Sequence, residues 1–100
     1  MLFYEVKMNS KITKQKLEKY YKLTGKALAE VKKHIVKSKK KEADEIIKMA
    51  SAYLSDSRFF EKKGDFVNAF GAIYYAHGWI DCGVRLGVFD VKDNKLFTVK

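Results

Sequence analysis

His77, Asp81 and Arg85 stand four residues apart, and on a helix that spacing stacks them along one side as a polar ladder. A histidine oriented by a carboxylate in this way can serve as a general base or hold a metal. Its neighbours argue for a structural role instead. Phe66, Ala69, Phe70, Ile73, Ala76, Ile80 and Val84 recur with His77 at helical spacing, which puts the imidazole in a core-facing stripe. His34, the other histidine, adds no ligand pair at metal-binding spacing. Asp56 has no second carboxylate close in sequence with which to divide acid and base roles, so it faces solvent or bonds a tyrosine. Cys82 has no flanking histidine and reads as a small buried hydrophobe. The chain is therefore expected to be non-enzymatic, with no metal or cofactor.

The elements that carry these residues follow from apolar spacing and from punctuation by glycine, since proline is absent. A first helix is predicted over residues 10–36, capped by Asn9 or Ser10, with Leu17, Tyr20, Thr24, Ala27, Leu28, Val31 and Ile35 on its apolar side. A turn at Ser38 leads to a second helix over 39–63. Its stripe is Ala43, Ile46, Ile47, Ala50, Tyr53, Leu54, Ser57 and Phe60, and Gly64 ends it in the left-handed conformation. Asp65 caps a third helix over 65–88. So tight a Gly-Asp turn requires the last two helices to be antiparallel, with facing residues whose numbers sum to about 129. That register places Lys48 opposite Asp81, and Asp44 or Glu45 opposite Arg85. The expected fold is all-α, one antiparallel three-helix domain over residues 1–100. Its ends are read as short and β-like, with 88–91 and 96–99 flanking a turn and Leu2-Phe3-Tyr4-Glu5-Val6 available to pair with them.

The third helix has a second apolar stripe opposite the first: Ala72, Tyr75, Trp79, Cys82 and Leu86 after Asn68, at steps of four and three. A helix that is apolar on both sides is covered on both. Either the tail covers this stripe or another protein surface does. Gly71, Gly78, Gly83 and Gly87 weaken a helix, and close approach of another ring or backbone is the reasonable compensation.

The net charge is +9 and lopsided: the first half holds 14 lysines and 6 acids, a balance of +8, while the second holds 7 basic and 6 acidic residues, a balance of +1. Only Arg58 and Arg85 are arginines, so the field is one of lysines. It suits diffuse attraction to phosphates more than bidentate readout. One cysteine excludes an intrachain disulfide and suits a reducing, cytoplasmic setting. The opening residues do not follow a signal-peptide pattern, and no apolar run reaches the roughly 20 residues of a spanning helix.

The pattern Tyr53, Asp56-Ser57-Arg58, Phe59-Phe60, Gly64-Asp65-Phe66, Ala69-Phe70, Tyr75-Ala76, Gly78-Trp79, Asp81, Gly83, Arg85-Leu86-Gly87 resembles a family of short archaeal helical-bundle proteins catalogued as a domain of unknown function. The resemblance implies a cytoplasmic helical bundle and brings no activity or functional residue with it. The residues themselves lead to an interaction or self-assembly module using Tyr75, Trp79 and Leu86, with a homo-oligomer or a protein partner and no membrane. The alternative is a nucleic-acid-binding accessory protein using Lys22, Lys26, Lys33 and Lys37.

Overall fold

The computed structural model describes residues 11–93 and 96–97. Three helices account for most of them: α1 (Lys14–Lys32), α2 (Lys40–Lys62) and α3 (Phe66–Arg85), with a 3-10 turn at Lys37–Lys39 between the first two. The all-α expectation holds, but the arrangement has a centre. α3 packs along α2 and against α1, whereas α1 and α2 touch only sparingly.

The expected cap at Asn9 or Ser10 lies outside the described residues, and α1 begins later, at Lys14. Thr13 caps it, its hydroxyl accepting from the Lys16 amide at 3.1 Å. The helix also stops early, at Lys32 instead of Val36, for a reason no local pattern contains. The Val36 amide donates to the Val88 carbonyl at 3.0 Å, and the Asp90 amide donates to the His34 carbonyl at 2.8 Å. These bonds pull 34–36 into an antiparallel bridge, Ile35 against Phe89, because backbone groups at a buried edge must find partners. The segment after α3 thus pairs with the α1–α2 linker. The proposed N-terminal pairing segment and part of 96–99 lie outside the described residues.

At the other end of α2, Gly64 takes φ of 77° and Asp65 accepts from the Asn68 amide at 3.2 Å, so the tight turn and the cap stand as expected. The antiparallel register also stands. Ile46 faces Gly83, Tyr53 meets the ring of Tyr75, and Ser57 bonds Ala69. The two expected cross-helix ion pairs do not form. Asp81 is on the α1 side of α3, rotated away from α2, and Asp44 is taken by Lys40 of its own helix at 2.9 Å.

The core is built from small residues where helices cross and larger ones between them. Ala43, Ala50, Ala69 and Ala76 are fully buried, which lets α2 and α3 approach closely, and Leu17, Val31, Ile73 and Ile80 fill the remaining space. On α1 it is Tyr21, not Tyr20, that is buried, and on α3 the buried arc is displaced toward Ala72 and Gly83. Val88, Phe89 and Phe97 complete the core from the tail.

The outer face of α3 and the α1 seam

At about 100° per residue, the buried residues of α3 occupy one side: Ala69, Ala72, Ile73, Ala76, Ile80 and Gly83. Packing against α1 and α2 on either flank leaves the remaining arc facing outward. Its central line runs Asn68, Gly71, Tyr75, Gly78, Cys82 and Arg85, all of them exposed. Tyr75 is 56% exposed and Leu86, on the rim, 68%. Gly71 and Gly78 have open space where a side chain would stand, so the line alternates a large ring with gaps. Shallow hollows of about 260 Å³ beside Tyr75, Gly78, Trp79 and Cys82, and about 390 Å³ beside Gly78, Arg85 and Leu86, follow from that alternation.

The three residues singled out by sequence therefore share one side of α3 without being equivalent. Tyr75 stands edge-on to Tyr53 at 4.6 Å between ring centres, which fixes its direction while leaving one side in solvent. Trp79 is half-buried and packs against the main core. Leu86 follows the last helical residue, and Gly87, at φ of 77°, turns the chain away after it. Cys82 is exposed, contrary to the sequence reading: the stripe it belongs to is the outward one.

The tail settles part of what covers α3. It lies on the α1 side, where the Leu96 carbonyl accepts from His77 Nε2 at 2.7 Å and Phe97 is buried among Ala27, Leu28 and Ile80. A carbonyl only accepts, so Nε2 carries the proton, and in the neutral ring Nδ1 accepts from the Thr24 hydroxyl at 3.0 Å. Asp81 approaches the same ring at 3.9 Å. A cleft of about 280 Å³, lined by Tyr20, Thr24, Tyr74, His77 and Asp81 among others, opens next to it. Both ring nitrogens hold α1, α3 and the tail together. His34, past the end of α1, is exposed and pairs with Glu30 at 3.1 Å. Among the described residues no group of three metal-ligating side chains comes together.

A second polar cluster was not legible in the sequence. Ser57 is fully buried and donates to the Ala69 carbonyl at 2.6 Å, so the Tyr21 hydroxyl 2.7 Å away donates to Ser57. The Arg58 guanidinium lies over the Tyr21 ring, 3.5 Å from its centre, and reaches Glu18 and Glu61 at 3.2 Å each. Burial pushes the Tyr21 phenol above its ordinary value. These bonds join all three helices. Asp56, next to them in sequence, is exposed, the solvent-facing outcome of the two expected.

The lysines of the alternative reading are exposed but do not form one line. Lys22 and Lys26 are on α1, Lys33 is its C-cap, and Lys37 opens the 3-10 turn after the chain has changed direction. Lys14 and Lys19 join Lys22 and Lys26 along a concavity on α1 instead. Aromatic rings also reach this side. Tyr20 is 5.2 Å from Phe70 and 5.5 Å from Tyr74, with Lys16 over Phe70 at 5.6 Å and Lys19 over Tyr20 at 5.8 Å. The signal was Tyr20 itself, whose ring sits beside the core edge and meets α3 across the seam.

Residues 19–89 match the family described as a protein of unknown function (DUF357), and the chain belongs to that family. No curated protein and no solved structure matches it. Among the described residues no helix is long and apolar enough to cross a membrane.

Proposed function

For this member of a family without an assigned activity, we propose a non-enzymatic protein-interaction module that works through the outer face of α3. The observation that carries the reading is the exposure of Tyr75 and Leu86, at 56% and 68%, on a helix whose other sides are already used by α1, α2 and the tail. A side chain of this size in water forgoes roughly 1.5–3 kcal/mol of burial, and aromatic anchors are what interfaces concentrate. Charge supports the same face. In a chain of +9, the outward line of α3 carries one charged side chain, Arg85. The committed ring of His77 supports a structural place for the Asp81 ladder. An exposed thiol at Cys82 fits a reducing compartment such as the cytoplasm.

Oxidative footprinting tests this reading: Tyr75 and Leu86 are compared in dilute pure protein and in extract of the source cells. The expected result is protection of both in extract, with exposed Phe59 on α2 as the internal reference. Equal labelling in the two samples overturns it.

A second reading rests on the ring cluster Tyr20, Phe70 and Tyr74 beside Lys16 and Lys19, a basic seam with stackable faces of the kind that holds single-stranded nucleic acid. Its test is retention of a single-stranded oligonucleotide at low salt, lost steeply as salt rises and lost in Tyr74→Ala. No retention at low salt removes it.

A further inference from the structure

We infer that the partner of the α3 face is a second copy of the same chain, docked antiparallel about a two-fold axis that passes between the two helices at the level of the step from Ala76 to His77; this rests on the interaction reading above. The inference comes from the order of residues along the outward line. When α3 is laid against a reversed copy of itself about that midpoint, Tyr75 falls on Gly78 of the second copy, Gly71 on Cys82, and Asn68 on Arg85. Each pairing occurs twice. A large ring therefore meets a residue with no side chain, and Gly71 and Gly78 have open space above them in the single chain. No shift by one residue preserves this match, because Tyr75 then falls on His77 or Trp79 and the ring loses its gap.

Charge complementarity points the same way. Arg85 has no ion pair among the described residues, and the Asp65 carboxylate is held within its own helix end by Asn68, whose Nδ2 donates to it at 2.7 Å. Antiparallel docking brings Arg85 to the Asp65–Asn68 pair of the second copy at each end of the seam. The antiparallel helix dipoles also attract. A nucleic acid would find little basic charge along this line, whereas a second copy meets it without like-charge contact although each chain is at +9.

The area agrees with a reversible association. A helix of 20 residues is about 30 Å long and about 10–12 Å across, so the seam covers roughly 300–360 Å² per copy. The pair then buries roughly 600–720 Å², below the ~1,000 Å² above which interfaces are usually stable. The dimer is weak and forms as concentration rises. Because the rest of each chain repels, it also strengthens with salt, opposite to binding of a nucleic acid.

The test introduces one thiol, Gly71→Cys, opposite the native Cys82, and oxidises the protein under native conditions across the concentrations of the scattering series. In this register the thiol introduced at position 71 of each chain reaches Cys82 of the second copy, so the expected product on a non-reducing gel is a dimer that vanishes when Cys82→Ser is added. Wild-type protein stays monomeric on the gel, since the two Cys82 residues are about 16 Å apart along the axis. Ala52→Cys, on exposed α2, is the collision control and gives no comparable product. Light scattering of wild type over a concentration series runs beside it, with footprinting in extract. Doubling of mass together with the crosslink between position 71 and Cys82 sustains the inference. Doubling with a product joining the two native Cys82 thiols, or with no product, overturns the register and leaves the interaction reading. A monomer at every concentration with Tyr75 protected in extract overturns self-association alone. A monomer with Tyr75 unprotected overturns both.

Discussion

The hydroxyl of Ser57 lies 2.6 Å from the carbonyl oxygen of Ala69, a bond from the middle of α2 to the backbone of α3 made where no water reaches. A helix carbonyl already serves its own helix, so this one accepts twice, and the Tyr21 hydroxyl closes the chain from α1. Removing Ser57 takes one acceptor from the Tyr21 hydroxyl and a donor from the Ala69 carbonyl. Ser57→Ala is expected to lower stability by about 1–3 kcal/mol in chemical denaturation, and Tyr21→Phe in the same background to recover part of that loss.

Tyr21 also sets a limit at high pH. Burial raises its pKa above the ordinary value of 10.0, so the folded state keeps the phenol proton where the unfolded chain releases it. The stability tied to this group is complete below about pH 10 and is lost as pH rises through the folded value. Denaturation followed from about pH 8 to about pH 11 is expected to show the decline, and Tyr21→Phe to flatten it.

Gly83 is required by its neighbour. A β-carbon there would stand 2.5 Å from Cε2 of the Phe89 ring and 3.0 Å from Cδ1 of Ile46. Gly83→Ala is expected to destabilise by about 1–3 kcal/mol through overpacking, against the gain in helix propensity that alanine normally gives. Phe89→Leu added to it should restore part of the melting temperature, since the shorter side chain vacates the contested space.

His77 fastens the tail. His77→Phe keeps the apolar ring and removes the donor to the Leu96 carbonyl, so the helices are expected to stay folded while residues near 96–97 gain hydrogen exchange by about tenfold. Far-ultraviolet circular dichroism and exchange mass spectrometry separate the two effects. Unchanged exchange at the tail would show that Phe97 burial holds it alone.

The helices themselves were legible because their apolar residues recur at 3.6-residue spacing and because Gly64-Asp65 leaves only an antiparallel turn. The end of α1 was not, since it is decided by bonds from Val36 and His34 to Val88 and Asp90, more than fifty positions away. For the same reason the pairing of 88–90 with 34–36 is not contained in the tail's own pattern. The outward stripe of α3 was legible as a second apolar face, but which of its members are exposed was not: Cys82 turns out to face solvent, and Trp79 leans on the core. Ser57 was visible as a member of the α2 stripe, yet its bond to Ala69 depends on how closely small residues bring α2 to α3. Tyr20 and Tyr21 are adjacent, and which of them is buried depends on where α3 crosses α1.

The claim that the outer face of α3 is a seam between two copies is tested most directly by light scattering of Gly78→Arg against wild type over the same concentrations. Nothing lies within 4 Å of the position a side chain would take, and arginine favours a helix over glycine, so the variant should fold and melt at least as high as wild type. The result expected is a mass that rises with concentration in wild type and stays at that of one chain in Gly78→Arg. Equal association in both proteins, with the arginine standing in the middle of the seam, would contradict the account.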